Sequence, residues 1–267
     1  MSPSKTKNTI EVENIEVVYK LEEKKIHAVK DASFNVTERK MLGIIGETGS
    51  GKSSLIRALN GLIKSPGDVK FNNLKILDEV GTQNEFNFNK LRGKNVGFIP
   101  QNPFGSLNPV YKISKQFNFI NKRHKIYDAK TLPDKINEAL IDVGINDPDR
   151  VKNSYSFELS GGMAQRVVIA LATFSKPRLL FADEPTTGLD VTVERQLLDN
   201  FFDFVKNKNM TLVLVTHDLG IVAQYCDEAL VMYKGEIVEK GSINEIFKNP
   251  KDSYTQKLIK ASSEDVS

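Results

Sequence analysis

The sequence predicts an α/β fold built on parallel strands and interrupted by a helical insertion. Three observations carry this. The apolar run Met41–Ile45 ends in a glycine-rich turn, Gly46–Gly51, and Leu55, Ile56, Leu59 and Leu62 then recur at helical spacing until Pro66. A strand–turn–helix opening implies crossovers, and so parallel neighbours. From about Phe104 to Lys176 the pattern is mostly helical, after which strand signals return at Leu179–Ala182, Thr211–Val215, Glu228–Met232 and Glu236–Glu239.

Taken in order, Ile10–Tyr19 reads as a strand, because Val12, Ile15, Val17 and Val18 are β-formers set among acids. Leu21–Lys25 is a charged turn, and Ala32–Val36 a further short apolar run. Lys70–Leu77 reads as a small strand–turn unit with Asn72-Asn73 as its turn, and the Asn-rich Gly81–Gly93 as a surface loop. Val96–Ile99 is a strand running into Pro100-Gln101. Ser114–Arg123 and Asp134–Val143 are helices, and a third starts after Ser160 and carries Val167, Val168, Leu171 and Ala172. Val193–Lys206 and Tyr254–Ile259 are helical, and Ser262–Ser267 reads as frayed.

Composition sets the bounds. At 267 residues, with 40% hydrophobic and 27% charged, the chain can bury a core and is not disordered. Lys plus Arg is 37 and Asp plus Glu 34, a net charge of +3, which does not suggest a nucleic-acid partner. A single cysteine, Cys226, excludes an internal disulfide and a cysteine metal cluster, and it reads as a buried small hydrophobe. No window holds the ~18 apolar residues of a membrane span, and Met1–Thr9 lacks the apolar segment of a secretory signal. The expectation is a soluble, cytoplasmic chain that works at a membrane only if another subunit supplies the span.

Three constellations carry chemistry. Gly46-Glu47-Thr48-Gly49-Ser50-Gly51-Lys52-Ser53 fits G-x-x-x-x-G-K-[ST], between a strand and a helix. Its glycines allow a nest of N–H donors, and the helix start adds positive potential, so the loop suits phosphates. Lys52 would reach the β- and γ-phosphates, Ser53 would ligate Mg²⁺ and Ser54 would contact the α-phosphate. This motif alone does not separate a kinase, a GTPase and a transport ATPase. Second, Leu179–Ala182 ends in Asp183 and Glu184. An acid at the tip of a parallel strand faces the ligand crevice. Asp183 would hold Mg²⁺ through water, and Glu184 would polarise the water that attacks the γ-phosphate. Third, Leu159-Ser160-Gly161-Gly162-Met163-Ala164-Gln165 precedes a helix and makes a second anion-binding terminus. Two such termini serve one nucleotide only if the second comes from another copy.

In order and spacing these elements resemble the ABC transporter ATPases, over about Ile10 to Gly241. The resemblance implies a P-loop NTPase cassette: a RecA-like core, an antiparallel β subdomain, and a helical subdomain inserted at about 102–176. The ABC domain would span 8–247, with 248–267 as a short extension. It further implies that Gln101 is the Q-loop glutamine touching Mg²⁺ and the attacking water, Gly188-Leu189-Asp190 the D-loop, His217 the switch histidine at the γ-phosphate, and Tyr19 the aromatic on adenine. Two cassettes would meet head to tail around ATP, with Ser160, Gly161, Gly162 and Gln165 of one facing the P-loop of the other.

Finer runs resemble the oligopeptide, dipeptide and nickel importers: Gln101-Asn102-Pro103-Phe104-Gly105-Ser106-Leu107-Asn108-Pro109-Val110, Pro185–Val193, and Asn249-Pro250 with Tyr254-Thr255. Asn102, Ala164 and Gly188 depart from the usual residues, and none removes a catalytic group. The short tail without cysteines leans toward nickel-type members. The implied partners are two membrane permeases, a second cassette (identical or paralogous) and an extracytoplasmic solute-binding protein, at the cytoplasmic face of the membrane. The solute would be a peptide or a related solute such as nickel, and the helical insertion near Gln101–Arg123 would receive a permease helix. The competing reading is a soluble non-transport ABC ATPase of DNA repair or the ribosome; the interval Lys52–Ser160 lacks the heptads of the former. The basic run Lys122-Arg123-His124-Lys125 reads as a solvated helix end, His27 and His124 as surface residues, and Tyr254 as packing.

Overall fold

The structure is a computed structural model that describes residues 7–22, 24–186 and 191–264. Along the chain come β1 (Asn8–Lys20), β2 (Lys25–Thr37), β3 (Met41–Ile45), α1 (Lys52–Leu59), β4 (Gly67–Lys70), β5 (Asn73–Ile76), β6 (Glu79–Gly81) and β7 (Val96–Ile99). Then follow α2 (Pro103–Ser106), α3 (Ile113–His124), α4 (Leu132–Asp142), α5 (Pro148–Asn153), α6 (Gly161–Thr173) and β8 (Leu179–Asp183). The remainder is α7 (Val191–Asn207), β9 (Thr211–Val215), α8 (Leu219–Tyr225), β10 (Glu228–Tyr233), β11 (Glu236–Ser242), α9 (Ile243–Lys248) and α10 (Ser253–Glu264). These fall into two compact units, one formed by the described residues up to Lys90 with those from Thr211 onward, the other by Leu91–Met210.

In the first unit β1 and β2 form a long antiparallel hairpin, from Asn8 opposite Thr37 to Lys20 opposite Lys25. Ile10, Val12, Ile15 and Val17 are buried while Glu11, Glu13 and Asn14 are exposed, so one face is apolar. β4 and β5 both pair antiparallel with β1, at opposite ends of it, and β6 pairs with β5. The expected Lys70–Leu77 unit is therefore not a hairpin on itself. Two successive short strands add to one long strand, and Asn73 already belongs to the second.

The same unit holds β3 between β9 and β10, all parallel, with β11 antiparallel to β10. Every residue of β3 and β9 is buried, as suits parallel strands covered on both faces. Ile45, Val231, Leu219, Val222 and Ile246 make one cluster here, with Tyr254, Leu258 and Ile259 of α10 packed on it.

In the second unit β7 and β8 pair in parallel, Val96 beside Leu179 and Ile99 beside Ala182. The helices α3–α6 share an apolar interior. Phe117 is fully buried and meets Phe174 edge-on at 4.9 Å. Arg166 Nη1 donates to the Val143 carbonyl at 2.6 Å, tying α6 to the end of α4. Among the described residues no helix is long and apolar enough to cross a membrane.

Several expectations need correction. The first helix stops at Leu59, because Asn60 and Gly61 turn the chain back, and Leu62 is exposed. The Gly81–Gly93 segment is not a plain surface loop: Phe86 is buried between Phe71 and Phe88, with ring centroids 6.3 and 4.7 Å away. α10 runs through Glu264, past the expected fraying point at Ser262, and residues 265–267 lie outside the described residues. His124 is half-buried rather than a surface residue. Lys122, Arg123 and His124 do form the last turn of α3, where cations offset the helix dipole, and Lys125 closes it in the left-handed conformation.

Candidate functional site

The phosphate loop follows β3 directly. Gly46 and Gly51 have φ of 143° and 105°, where side chains are strained. A Cβ on Gly51 would stand 2.0 Å from the Ala28 carbonyl oxygen, and one on Gly46 2.1 Å from that of Met232. Backbone packing therefore demands glycine at both places. Gly51 is the N-cap of α1 and has no side chain with which to cap the helix, whose N-terminal end carries positive potential. Lys52 is buried, and its ammonium donates to the Gly46 and Glu47 carbonyls at 2.7 and 2.9 Å. The Ser50 hydroxyl is buried without a hydrogen-bond partner. Glu47, Thr48 and Gly49 are exposed, and Ser53 and Ser54 half-exposed.

Two further expected residues lie in the same unit. Tyr19, near the end of β1, has its hydroxyl 3.3 Å from Ser54 Oγ. His217 is exposed just beyond β9, which runs parallel to β3, so loop and histidine leave neighbouring strands at their C-terminal ends. Beside it, Asp218 caps α8 by accepting from the Ile221 N–H at 3.0 Å.

The second unit brings the other pair together. Gln101, just after β7, donates from Nε2 to Glu184 Oε2 at 2.9 Å. Glu184 has a φ of 45°, which is unusual for a non-glycine residue. Asp183 is fully buried at the end of β8. Ser160 is exposed and is the N-cap of α6, accepting from the Met163 N–H at 3.4 Å, with Gly161 and Gly162 half-exposed behind it.

Residues 29–187 match the ABC transporter family. The chain belongs to that family. It is an ATP-binding cassette of the ATPase class, with the mixed parallel and antiparallel α/β architecture the sequence predicted. It is 40% identical over 259 residues to the oligopeptide transport ATP-binding protein OppD of Lactococcus lactis, covering 96% of this chain and 76% of that one. It is 39% identical over 256 residues to the dipeptide transport ATP-binding protein DppD of Escherichia coli, covering 94% and 77%. The dimeric cassette MJ0796, solved in a post-hydrolysis state with ADP and Pi, superposes with a TM-score of 0.72 at 26% identity, covering 88% of this chain and 98% of that one.

Two expected site residues of the cassette stand apart. Gln165 is only 2% exposed, so its side chain points into the packing of α6, and its Nε2 has no hydrogen-bond partner. Asp190 lies outside the described residues, as do Gly188 and Leu189. Gln116, passed over in the sequence, and Tyr254, read there as packing, both make specific hydrogen bonds. Gln116 is buried and pins the loop after α2. It accepts from the Asn108 N–H at 3.0 Å and donates to the carbonyls of Asn108 and Tyr111, both at 3.1 Å. Tyr254 reaches the phosphate loop itself. Sequence alone gave no signal for either contact beyond their residue types.

Proposed function

We propose that this cassette hydrolyses ATP to drive uptake of oligopeptides or dipeptides through two membrane permeases, at the cytoplasmic face of the membrane. The hydrogen bond from Gln101 to Glu184 carries the reading. It joins the carboxylate suited to polarise water to the segment that leads into α2 and α3. That segment is apolar and exposed at Phe104, Val110, Tyr111 and Phe119, the features of a docking surface for a permease helix. A force on this surface is thus one hydrogen bond from the hydrolytic water.

The chemistry of the loop fits a polyphosphate: a helix start with no side-chain cap, a lysine, and the hydroxyls of Ser50, Ser53 and Ser54. Tyr19 would stack on adenine, and His217 would contact the γ-phosphate. Mg²⁺ would be held by Ser53, by Asp183 through water and by Gln101, and would neutralise charge on the phosphates. Ser160, Gly161, Gly162, Gln165 and Asp190 would complete the site on a second cassette, with Gln165 acting through the packing of α6. We assign the ABC domain to 8–247, the helical insertion to about 102–176 and the extension to 248–267, with an extracytoplasmic binding protein delivering the solute.

The test is Glu184→Gln. Hydrolysis falls at least ~10²-fold with loss of the general base, while ATP-dependent dimerisation, followed by light scattering, persists. Turnover at the wild-type rate would remove Glu184 from this role.

A further inference from the structure

One contact on the phosphate loop plays no part in that reading. The Glu47 backbone N–H donates to Tyr254 Oη at 3.0 Å, from α10. The same peptide unit presents the Gly46 carbonyl to the Lys52 ammonium at 2.7 Å. Tyr254 and Lys52 therefore grip opposite poles of one peptide, and each polarises it for the other. The Glu47 carbonyl in turn accepts from Lys52 and from the Ser50 N–H, at 2.9 and 3.1 Å.

The tyrosine is itself held firmly. Its ring stacks on Tyr233 with centroids 4.1 Å apart, and Lys234 lies 4.9 Å over the Tyr233 ring. The Tyr254 N–H donates to Asp252 Oδ1 at 2.8 Å. The Lys251 and Asp252 N–H groups donate to the Glu239 carboxylate on β11 at 2.9 and 3.1 Å. Leu258 and Ile259 anchor the rest of the helix in the cluster around Ile45, the last residue of β3. Burial raises the phenol above its ordinary value, so it stays neutral and able to accept.

We propose that Tyr254 is a positioning residue for the nucleotide: its hydroxyl fixes the plane of the Gly46–Glu47 peptide, and with it the start of the phosphate loop and Lys52. The C-terminal helix is thereby part of the binding apparatus. This rests on reading the loop as the ATP site. Tyr254→Phe keeps the ring and deletes one hydrogen-bond acceptor. The dissociation constant for ATP, by titration calorimetry, and KM rise about twofold to tenfold, the range of one neutral hydrogen bond. kcat stays within about twofold, and Tm is unmoved. An unchanged dissociation constant overturns the proposal, and so does a joint fall of affinity, kcat and Tm, which marks a structural role only. Lys52→Ala separates the two readings. If it loses ATP while Tyr254→Phe binds normally, only the tyrosine proposal fails; if it binds ATP as the parent does, the site reading fails, and this one with it.

Discussion

His124 shows how one residue changes character between sequence and structure. Burial, with Arg123 and Lys94 adding like charge, holds its imidazole below the ordinary 6.5. The unfolded chain takes up this proton more readily than the folded one. The histidine's contribution is therefore whole above about pH 6.5 and declines as pH falls through that value. Tm measured between pH 7.5 and 5 drops less steeply in His124→Asn than in the parent; equal slopes would show that the imidazole is not held neutral. Cys226 is partly buried rather than buried as expected, packed on the cluster around Ile45; desolvation, helped by Asp227, pushes its thiol up to about 12. The phosphate loop was legible residue by residue, because its spacing is itself the chemistry. Tyr254 was not, because its partner Glu47 stands 207 positions away and no local pattern announces such a contact.

Continuous apolar strands could be read, while short helices and exposed strand halves could not. β3, β7, β8 and β9 lie close to their expected bounds, since buried parallel strands are apolar throughout. α2, α5, α8 and α9 have four to seven residues, too few to show a period. α9 nonetheless carried a signal, the capping box between Ser242 and Glu245. β2 was underestimated because its first half is almost wholly exposed, with only Val29 buried, and so lacks an apolar alternation. The loop between α2 and α3 is held by Gln116 as well as by its own Asn108, which accepts from the Val110 N–H. Gln116→Ala strips three hydrogen bonds from Asn108 and Tyr111, and hydrogen exchange of the Val110–Lys112 amides quickens at least tenfold. Unaltered exchange would mean the loop holds itself.

For the molecule as a whole, the sequence foretold a strand core with a helical insertion but not the division into two units. Leu91–Met210 starts before the helical run because β7 pairs with β8, some eighty residues later, and that pairing draws the strands into the same unit as the helices. Long-range parallel pairing is what local patterns reveal least. Of the exposed apolar residues in the segment after Gln101, Val110, 74% exposed, stands furthest into solvent. Val110→Glu places a charge where a permease helix would seat. Peptide uptake by the assembled transporter falls at least tenfold, while the ATPase rate of the isolated cassette holds. Full uptake would move the docking surface elsewhere.

The Gln116 brace also has an evolutionary reading. Because one interior amide braces the backbone of Asn108 and Tyr111, the exposed Val110 side chain takes no part in that brace. Such a ledge can exchange Val110 for another residue while its contour persists, so the docking chemistry can change by a single substitution without rebuilding the loop.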